Sequence, residues 1–369
     1  MKIASVESLA VRLPRDMESA TGTAGSPTAL KDSGGRYRWS QVYPALYSTH
    51  FETELVKVTL QDGTVGWGEA QAPLAPEVAS TIVELLLAPV LTGLDFDGSR
   101  ERIEQLWATM YSTMRVRGQT GGFMLDAISG VDIALWDLAG KLARKPVSEL
   151  LGAKATSVPA YLSGLPPAGE AAQGIRVLKL YHNADEATLL RQIDELRDRF
   201  DIAVDALWRF EPDSACAFGR QLDARGALWF ECPLAPEDPQ AHAAIARRFR
   251  TPIAIGESYR TTFELAPFFR EGAMKIVQPD LGRTGITEGL RIALMAAGRG
   301  VAVIPHVSIA LGPQLAAAIH FAAAAGCNLL EYNPAVLEVA NRYLRQPIEI
   351  RGARYVVPCG PGLGVDLVL

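Results

Sequence analysis

Seven polar residues end short apolar runs in the second half of the chain, at nearly constant intervals. They are Lys179, Asp205, Glu231, Glu257, Asp280, His306 and Glu331, and the successive intervals are 26, 26, 26, 23, 26 and 25 residues. The consecutive carboxylates Asp205, Glu231 and Glu257 would repel one another if they converged without a cation. Oxygen ligands without Cys or His favour Mg²⁺, and Mn²⁺ is possible. The triplet therefore predicts a magnesium site, unless these acids only cap the helices that follow the strands.

The other members of the series are suited to proton transfer. Asp280 and His306 end adjacent strands, and a carboxylate beside a histidine fixes its tautomer and stabilises the imidazolium. His306 is therefore the candidate general base. Lys179 would add positive charge near a developing enolate, and Glu331 would donate a hydrogen bond there if it is protonated. With a metal as Lewis acid, this set suits abstraction of the proton next to a substrate carboxylate.

The elements that must position these residues are strands of a parallel sheet. After about residue 157, eight strand-like runs alternate with helix-sized spacers: VPAYLSG, RVLKLY, FDIAVDAL, ALWFE, TPIAIGE, KIVQPD, VAVIPH and NLLE. Eight βα units close into a (β/α)8 barrel, whose active sites lie at the C-terminal ends of the strands. Lys179 and Tyr181 are two residues apart and share one face of their strand. We therefore expect Lys179 to project into the barrel mouth rather than the core.

The N-terminal part has a different pattern of predicted elements. Residues 1–13 and 52–69 are predicted to be strands of one small sheet, with a hairpin turn at Asp62-Gly63. Between them lies a long polar loop, about 15–48, of a length typical of functional lids, with a disordered insertion as the alternative. The chain end, about 341–369, comes too late for the barrel and is expected to pack back on the N-terminal domain.

Composition excludes several classes of protein. The net charge of −5 and the lack of clustered Lys and Arg argue against nucleic-acid binding. The four cysteines form no C-x-x-C pair, which indicates a reducing compartment rather than disulfides or zinc. The N-terminus lacks the apolar core of a signal peptide, and no run reaches the roughly 18 apolar residues of a membrane span. A cytoplasmic protein without nucleic-acid or membrane partners is predicted.

Several short motifs carry a resemblance to a known family. They are AISGVDIALWDLAGK at 127–141, WFECP at 229–233, IGES at 255–258, QPD at 278–280, IPH at 304–306 and GPGLGV near the chain end. Together they resemble the mandelate racemase subgroup of the enolase superfamily, over nearly the whole chain. WFECP and IGES are similar to the segments that supply the second and third metal ligands. QPD and IPH are similar to the Asp–His dyad.

The resemblance implies an α/β fold in which an α+β capping domain covers a modified (β/α)8 barrel. It assigns residues 1–126 to the capping domain, 127–340 to the barrel, and 341–369 to a segment returning to the capping domain. It also implies a homo-oligomer, because oligomers are common in this family.

Two N-terminal loops of the family close over the substrate and set specificity. Here they correspond to about 15–48 and, less directly, to the region near Gln71–Pro73. The candidate substrate contacts in and beside the longer loop are Arg36, Arg38, Trp39 and His50, with the two arginines suited to a distal carboxylate or hydroxyls.

The sequence also departs from the family pattern. Related enzymes with a lysine base carry it at the end of the sixth strand, where this chain has Asp280, so the His–Asp subgroup is favoured. Tyr181 replaces the second lysine of Lys-x-Lys, and a tyrosine with a pKa near about 10 is a poor base. That replacement argues against simple two-base racemisation. Leu207 replaces a usual asparagine, which removes a polar contact, and Cys232 replaces a usual acid or amide.

These features predict a Mg²⁺-dependent dehydratase of an acid sugar, an aldonate or aldarate. His306 would abstract the α-proton, and His306 or Tyr181 would then assist loss of the β-hydroxyl to give a 2-keto-3-deoxy acid. The first alternative is an isomerase, either an epimerase with Tyr181 as second acid/base or a sugar-lactone cycloisomerase. A more distant alternative is a barrel that binds a ligand or metal without turnover.

Overall fold

The computed structural model describes residues 1–14, 30–32, 36–40, 45–164, 174–183 and 185–368. The described residues before the barrel form six strands: β1 (Ile3–Pro14), β2 (Leu30–Asp32), β3 (Tyr37–Ser40), β4 (Leu46–Ser48), β5 (His50–Leu60) and β6 (Val65–Ala70). Strands β1, β5 and β6 form one antiparallel sheet in that order. The Asp62 carboxylate accepts the backbone N–H of Thr64 at 3.0 Å in the β5–β6 turn. The predicted N-terminal strands and hairpin are confirmed.

Much of the predicted loop at about 15–48 lies outside the described residues. Its described parts are not irregular, because β2, β3 and β4 pair as a separate antiparallel sheet. This ordered sheet corrects the expectation of a continuous loop. Alternating polar and aromatic residues in a Gly- and Ser-rich context were too weak a strand signal on their own.

Helices cover the small sheet and lead into the barrel. They are α1 (Pro76–Ile82), a π-helical turn (Val83–Leu87), α2 (Ala88–Leu91), α3 (Arg100–Arg115), α4 (Phe123–Ala143) and α5 (Val147–Leu150). Helix α4 is buried from Met124 to Gly140. At Gly68 of β6, an added Cβ would lie 1.9 Å from the carbonyl oxygen of Gly130. Glycine therefore lets the backbone of β6 rest directly on α4.

Eight parallel strands and the helices between them form the second part of the molecule. The strands are β7 (Ser157–Ser163), β8 (Val177–Tyr181), β9 (Asp201–Asp205), β10 (Phe230–Glu231), β11 (Ile253–Ile255), β12 (Ile276–Val277), β13 (Ala302–Val303) and β14 (Leu330–Tyr332). The helices are α6 (Glu186–Leu196), α7 (Pro212–Arg225), α8 (Pro239–Ala246), α9 (Thr262–Glu271), α10 (Leu281–Ala297), α11 (Pro313–Ala325) and α12 (Pro334–Arg342). Hydrogen bonds join the strands in the order β13 to β7 and then β14. The predicted modified (β/α)8 barrel with an α+β capping domain is confirmed.

The barrel interior is packed rather than hollow. One buried cluster consists of Tyr161, Ala203, Trp229, Ala254, Ile276 and Ile304. Four of these residues lie two positions before a polar residue at the end of their strand, and therefore on the same side of that strand. An apolar layer thus fills the barrel directly beneath the polar residues of the rim.

The chain end contacts both parts of the molecule. Strands β15 (Ile350–Arg351) and β16 (Arg354–Val356) form a hairpin, and β16 pairs with barrel strand β7. Further on, the N–H of Leu363 donates to the carboxylate of Asp137 in α4 at 2.8 Å. The segment therefore contacts α4 and extends the sheet through β7, and the second contact was not predicted. Its return to the capping domain stays a prediction.

The predicted division at 126/127 falls inside α4, and the three-part division stays a prediction. Within the described part of the chain, no helix combines the length and the apolar character needed to cross a membrane.

Candidate active site

The three carboxylates of the predicted metal triplet converge at the barrel mouth. Asp205 is the last residue of β9, Glu231 is the last residue of β10, and Glu257 follows β11 by two residues. One carboxylate oxygen of each lies within 4.8 Å of the others. Parallel neighbouring strands end at the same edge, so their last side chains must meet there.

Lys179 lies among these carboxylates. Its Nζ is 2.7 Å from Glu231, 3.0 Å from Glu331 and 3.8 Å from Asp205. The side chain is 0% exposed, so the expectation that it would not be buried is wrong, although its ammonium does reach the rim. Burial alone would lower the pKa of Lys179, but Glu231 and Glu331 raise it well above its ordinary value. The surrounding carboxylates therefore favour the charged ammonium form of Lys179.

Two residues that the sequence analysis did not single out hold Glu231 in place. The indole N–H of Trp229 donates to Glu231 Oε2 at 2.9 Å, and the amide of Gln278 donates to the same oxygen at 2.7 Å. Both belong to the motifs WFECP and QPD. Their only sequence signal was the two-residue spacing, which places each of them on the site's side of its strand.

Asp280 and His306 form the expected pair. His306 Nδ1 lies 2.7 Å from Asp280 Oδ2, and its Nε2 lies 3.2 Å from Glu257 Oε2. Burial alone would lower the pKa of His306, but Glu257, Glu331 and the Asp280 hydrogen bond raise it to about 10. With Asp280 on Nδ1, the ring presents Nε2 to the carboxylate cluster.

Glu331 does not have the predicted role of a protonated donor. It accepts hydrogen bonds from Ser163 at 2.6 Å and from the backbone N–H of Val307 at 3.2 Å, and it pairs with Lys179. Burial alone would raise the pKa of Glu331, but Lys179, His306 and the Ser163 hydrogen bond lower it to about 2. Glu331 is an ionised acceptor in this arrangement. The expectation failed because the sequence does not reveal how many donors surround this carboxylate.

Ser163 links Tyr181 to this cluster. The two hydroxyl oxygens are 2.6 Å apart, and Ser163 donates its single hydrogen to Glu331. Tyr181 must therefore donate to Ser163. Burial raises the pKa of Tyr181 above its ordinary value, so the phenol is a neutral donor rather than a base. Ser163 ends the first barrel strand, but its interval to Lys179 is much shorter than the others, so the regular spacing did not reveal it.

The charge and the donor set of the site fit a hard divalent cation. Among the described residues, the cationic side chains that form ion pairs with the site's five carboxylates are Lys179 and His306. The five are Asp205, Glu231, Glu257, Asp280 and Glu331. Burial and the neighbouring carboxylates raise the pKa values of Asp205 and Glu257. Buried carboxylates of this kind are stabilised by a cation, and three convergent oxygen ligands suit Mg²⁺.

Two of the four predicted loop contacts, Arg36 and His50, have side-chain partners close by in the structure. Arg36 lies 3.5 Å from Glu77, Arg38 is opposite Tyr47 in the β3–β4 register, and Trp39 is 45% exposed. His50 Nδ1 lies 3.1 Å from the Thr49 hydroxyl. Substrate contact by Arg36, Arg38, Trp39 and His50 stays a prediction.

Comparison with known protein families assigns the chain. Residues 44–152 match the N-terminal domain of the mandelate racemase / muconate lactonizing enzyme family, and residues 168–368 match the family described as enolase C-terminal domain-like. The chain belongs to the mandelate racemase and muconate lactonizing enzyme family of the enolase superfamily. The resemblance found in the sequence, and with it the prediction of an enzyme, is confirmed.

Curated relatives within this superfamily carry two kinds of activity in their names. The chain is 31% identical over 342 residues to D-galactarolactone cycloisomerase of Agrobacterium fabrum, covering 85% of this chain and 88% of the relative. It is 32% identical over 335 residues to arabinonate dehydratase of Saccharolobus solfataricus, covering 86% and 88%.

Solved structures share the whole fold. An enolase superfamily member from Agrobacterium tumefaciens has a TM-score of 0.91 at 31% identity, covering 100% of this chain and 97% of the other. A racemase from Streptomyces coelicolor with bound magnesium has a TM-score of 0.81 at 27% identity, covering 99% and 97%.

Proposed function

We propose that the protein is a divalent-cation-dependent dehydratase of an acid sugar, an aldonate or an aldarate. The observation that carries the proposal is the asymmetry of the site. Among the described residues the site has one histidine–carboxylate pair, His306 and Asp280, while the phenol of Tyr181 is already committed as a donor to Ser163. Dehydration needs one base, whereas racemisation through two bases needs a second. The similarity to arabinonate dehydratase supports the same reaction class.

Asp205, Glu231 and Glu257 would hold the cation, with Mg²⁺ favoured by their oxygen ligands. When bound, such a cation supplies Lewis-acid stabilisation of the enolate that forms next to the substrate carboxylate. Trp229 and Gln278 keep Glu231 oriented through its second oxygen. The ammonium of Lys179, which is fully buried, contributes positive charge close to the carboxylate cluster.

His306 carries the proton in both halves of the reaction. His306 accepts the α-proton at Nε2 in its neutral form, which a cation held by Glu257 would favour because it would offset the negative charge that raises the pKa of His306. The electrons of that C–H bond form the enolate. The C–O bond at the β-carbon then breaks, and the protonated ring returns the proton so that the hydroxyl leaves as water. The enol product tautomerises to a 2-keto-3-deoxy acid. Asp280 at Nδ1 holds the ring in one orientation throughout.

The proposal is tested by incubating the protein with Mg²⁺ and a panel of aldonates and aldarates in D₂O, with proton NMR as the readout. New 2-keto-3-deoxy signals with deuterium at C3 are expected for one or a few compounds. Deuterium at C2 with all hydroxyls intact would identify an epimerase instead. Chelation of the cation and a His306→Asn variant are the controls, and either should abolish the reaction if it belongs to this site.

Sugar-lactone cycloisomerisation is the second candidate, because relatives named D-galactarolactone cycloisomerase and 3,6-anhydro-α-L-galactonate cycloisomerase are each 31% identical to this chain. It shares abstraction of the α-proton but expels a ring oxygen, so its product has the same mass as its substrate. Adding sugar lactones and anhydro sugar acids to the panel, with mass spectrometry, separates the two reactions. Loss of water supports the dehydratase.

A further inference from the structure

A buried chain of side-chain amides connects the capping domain to the Asp280–His306 pair. Gln314 lies in the first turn of α11 and is 2% exposed. Its Nε2 lies 3.1 Å from Asp280 Oδ1 and 3.3 Å from the Oε1 of Gln71, which directly follows β6. The opposite oxygen of Asp280 faces His306 at 2.7 Å. One carboxylate thus connects the amide chain to the imidazole.

The amide group of Gln314 has a defined orientation. Both neighbours within hydrogen-bond distance of its nitrogen are oxygens, so the two hydrogens of the NH₂ group match two acceptors. Rotating the amide by half a turn would place its oxygen against the Asp280 carboxylate. Space for the amide exists because residue 282 is glycine, since a Cβ there would lie 2.3 Å from the Cδ of Gln314.

The capping domain also fixes the backbone on both sides of this amide. Glu69 at the end of β6 accepts the N–H groups of Leu311 at 2.5 Å, Gly312 at 3.1 Å and Gln314 at 3.1 Å. The N–H of Gln71 donates to the carbonyl of Gly282 at 2.8 Å. The segment 69–71 therefore contacts the loop that follows His306 and the helix turn that follows Asp280.

We propose that Gln314 is a positioning residue that holds the Asp280 carboxylate, and through it the ring of His306, and that Gln71 orients Gln314. The inference rests on the proposed role of His306 as the base. Without Gln314, Oδ1 of Asp280 keeps only the backbone N–H of Gly282 at 2.9 Å. The carboxylate is then held less firmly, and the hydrogen bond that sets the His306 tautomer weakens. The capping domain is in this way part of the catalytic support as well as a cover.

The first test needs no substrate. Nitrogen-15 NMR of histidine-labelled protein with Mg²⁺ reports the tautomer and the Nδ1-bound proton of each imidazole, and a His306→Asn spectrum assigns His306. In Gln314→Met, the Nδ1–H signal of His306 is expected to broaden or shift. His320 lies on the same helix, and its Nε2 lies 3.0 Å from the carbonyl of Leu363. Its signals should stay unchanged, so His320 reports general damage to α11.

The second test uses kinetics on the substrate found in the D₂O panel. Loss of an outer partner of a catalytic group typically costs about 10–100-fold. We expect that loss in kcat for Gln314→Met, with KM nearly unchanged, and a smaller loss for Gln71→Met. Gln314→Asn, which keeps the amide but shortens the side chain, provides a second variant if the first does not fold.

Two results would overturn the inference: an unchanged His306 spectrum in both Gln314 variants, or equal shifts of His306 and His320. If no acid sugar is turned over, the proposed function fails, but the NMR comparison still decides whether Gln314 holds the pair.

Discussion

Replacing Lys179 with methionine is predicted to destabilise the protein strongly in the absence of a divalent cation and less strongly in its presence. Methionine has a similar length and no charge. The Nζ of Lys179 lies 2.7 Å from Glu231, 3.0 Å from Glu331 and 3.8 Å from Asp205. The variant therefore leaves three buried carboxylates without the lysine ammonium that they share.

The magnitude follows from burial. Breaking a buried ion pair by removing one partner costs about 3–5 kcal/mol, because the remaining charge stays desolvated. The side chains of Lys179, Glu231 and Glu331 are 0%, 0% and 2% exposed, so solvent screening gives little relief. Binding of Mg²⁺ by the native state contributes about 2.7 kcal/mol at 100 times its Kd, in the wild type as in the variant. Without the ammonium the three carboxylates carry more uncompensated negative charge, so the variant should bind Mg²⁺ more tightly than the wild type does. The difference in stability should shrink in Mg²⁺ by that gain.

The assay is urea unfolding of wild type and variant in EDTA and in Mg²⁺. Lys141→Met is the matched control. The Nζ of Lys141 lies 2.7 Å from Asp137, with its side chain 23% exposed, and it is remote from the metal triplet in the sequence and the fold. That variant should lose less stability, by an equal amount in both buffers. The reasoning is wrong if Lys179→Met matches wild type in EDTA, or if Mg²⁺ stabilises it no more than the control.

Three further predictions concern Tyr181, the buried acid Glu54, and the contact between β6 and α4 at Gly68. Tyr181→Phe should lower the rate of α-proton exchange by less than about tenfold, because loss of a true general base lowers the rate by a factor of about 10²–10⁴. A larger loss in the D₂O assay would favour the alternative of an epimerase with Tyr181 as second acid/base. Burial raises the pKa of Glu54 from 4.5 to about 8, so the folded state keeps a proton that the unfolded state loses. Stability should therefore fall as the pH rises from 4.5 to 8, and should fall less in Glu54→Gln; equal falls in urea midpoint would contradict this. Gly68→Ala places a Cβ 1.9 Å from a carbonyl oxygen of α4. It should lower the free energy of unfolding by about 1–3 kcal/mol or more. Gly298→Ala, where the nearest atom is 3.7 Å away, should be nearly neutral, and equal unfolding of the two variants would refute the contact.

The positions of the strands and of the polar strand ends could be predicted because both are local patterns. A βα unit has a nearly constant length, so one polar residue at each strand end repeats with a nearly constant interval. The structure places Asp205, Glu231 and Glu257 within 4.8 Å of one another, and Asp280 beside His306. The spacing alone carried this information, since parallel strands end at the same edge.

Residues that act through contacts between distant strands could not be predicted. Ser163 does not fit the regular spacing of the strand-end residues. Trp229, Gln278 and Gln314 carry no signal of their contacts until the folded barrel brings their partners close. The ionisation of Glu331 also depended on contacts, because its donors Ser163 and Val307 come from other strands and loops. The number of hydrogen-bond donors around a side chain, and its degree of burial, cannot be predicted from the neighbouring residues of its own strand.

The sequence by itself determined the order of the barrel strands, the edge of the barrel that holds the chemistry, and the residue types available there. The tertiary structure alone decided which charge faces which. It buried the Lys179 ammonium among carboxylates, committed Tyr181 as a donor to Ser163, and connected the capping domain to Asp280 through Gln314. The physical reason is that hydrophobic periodicity specifies elements locally. Protonation states and hydrogen-bond partners instead depend on distances of a few ångströms between residues far apart in the chain.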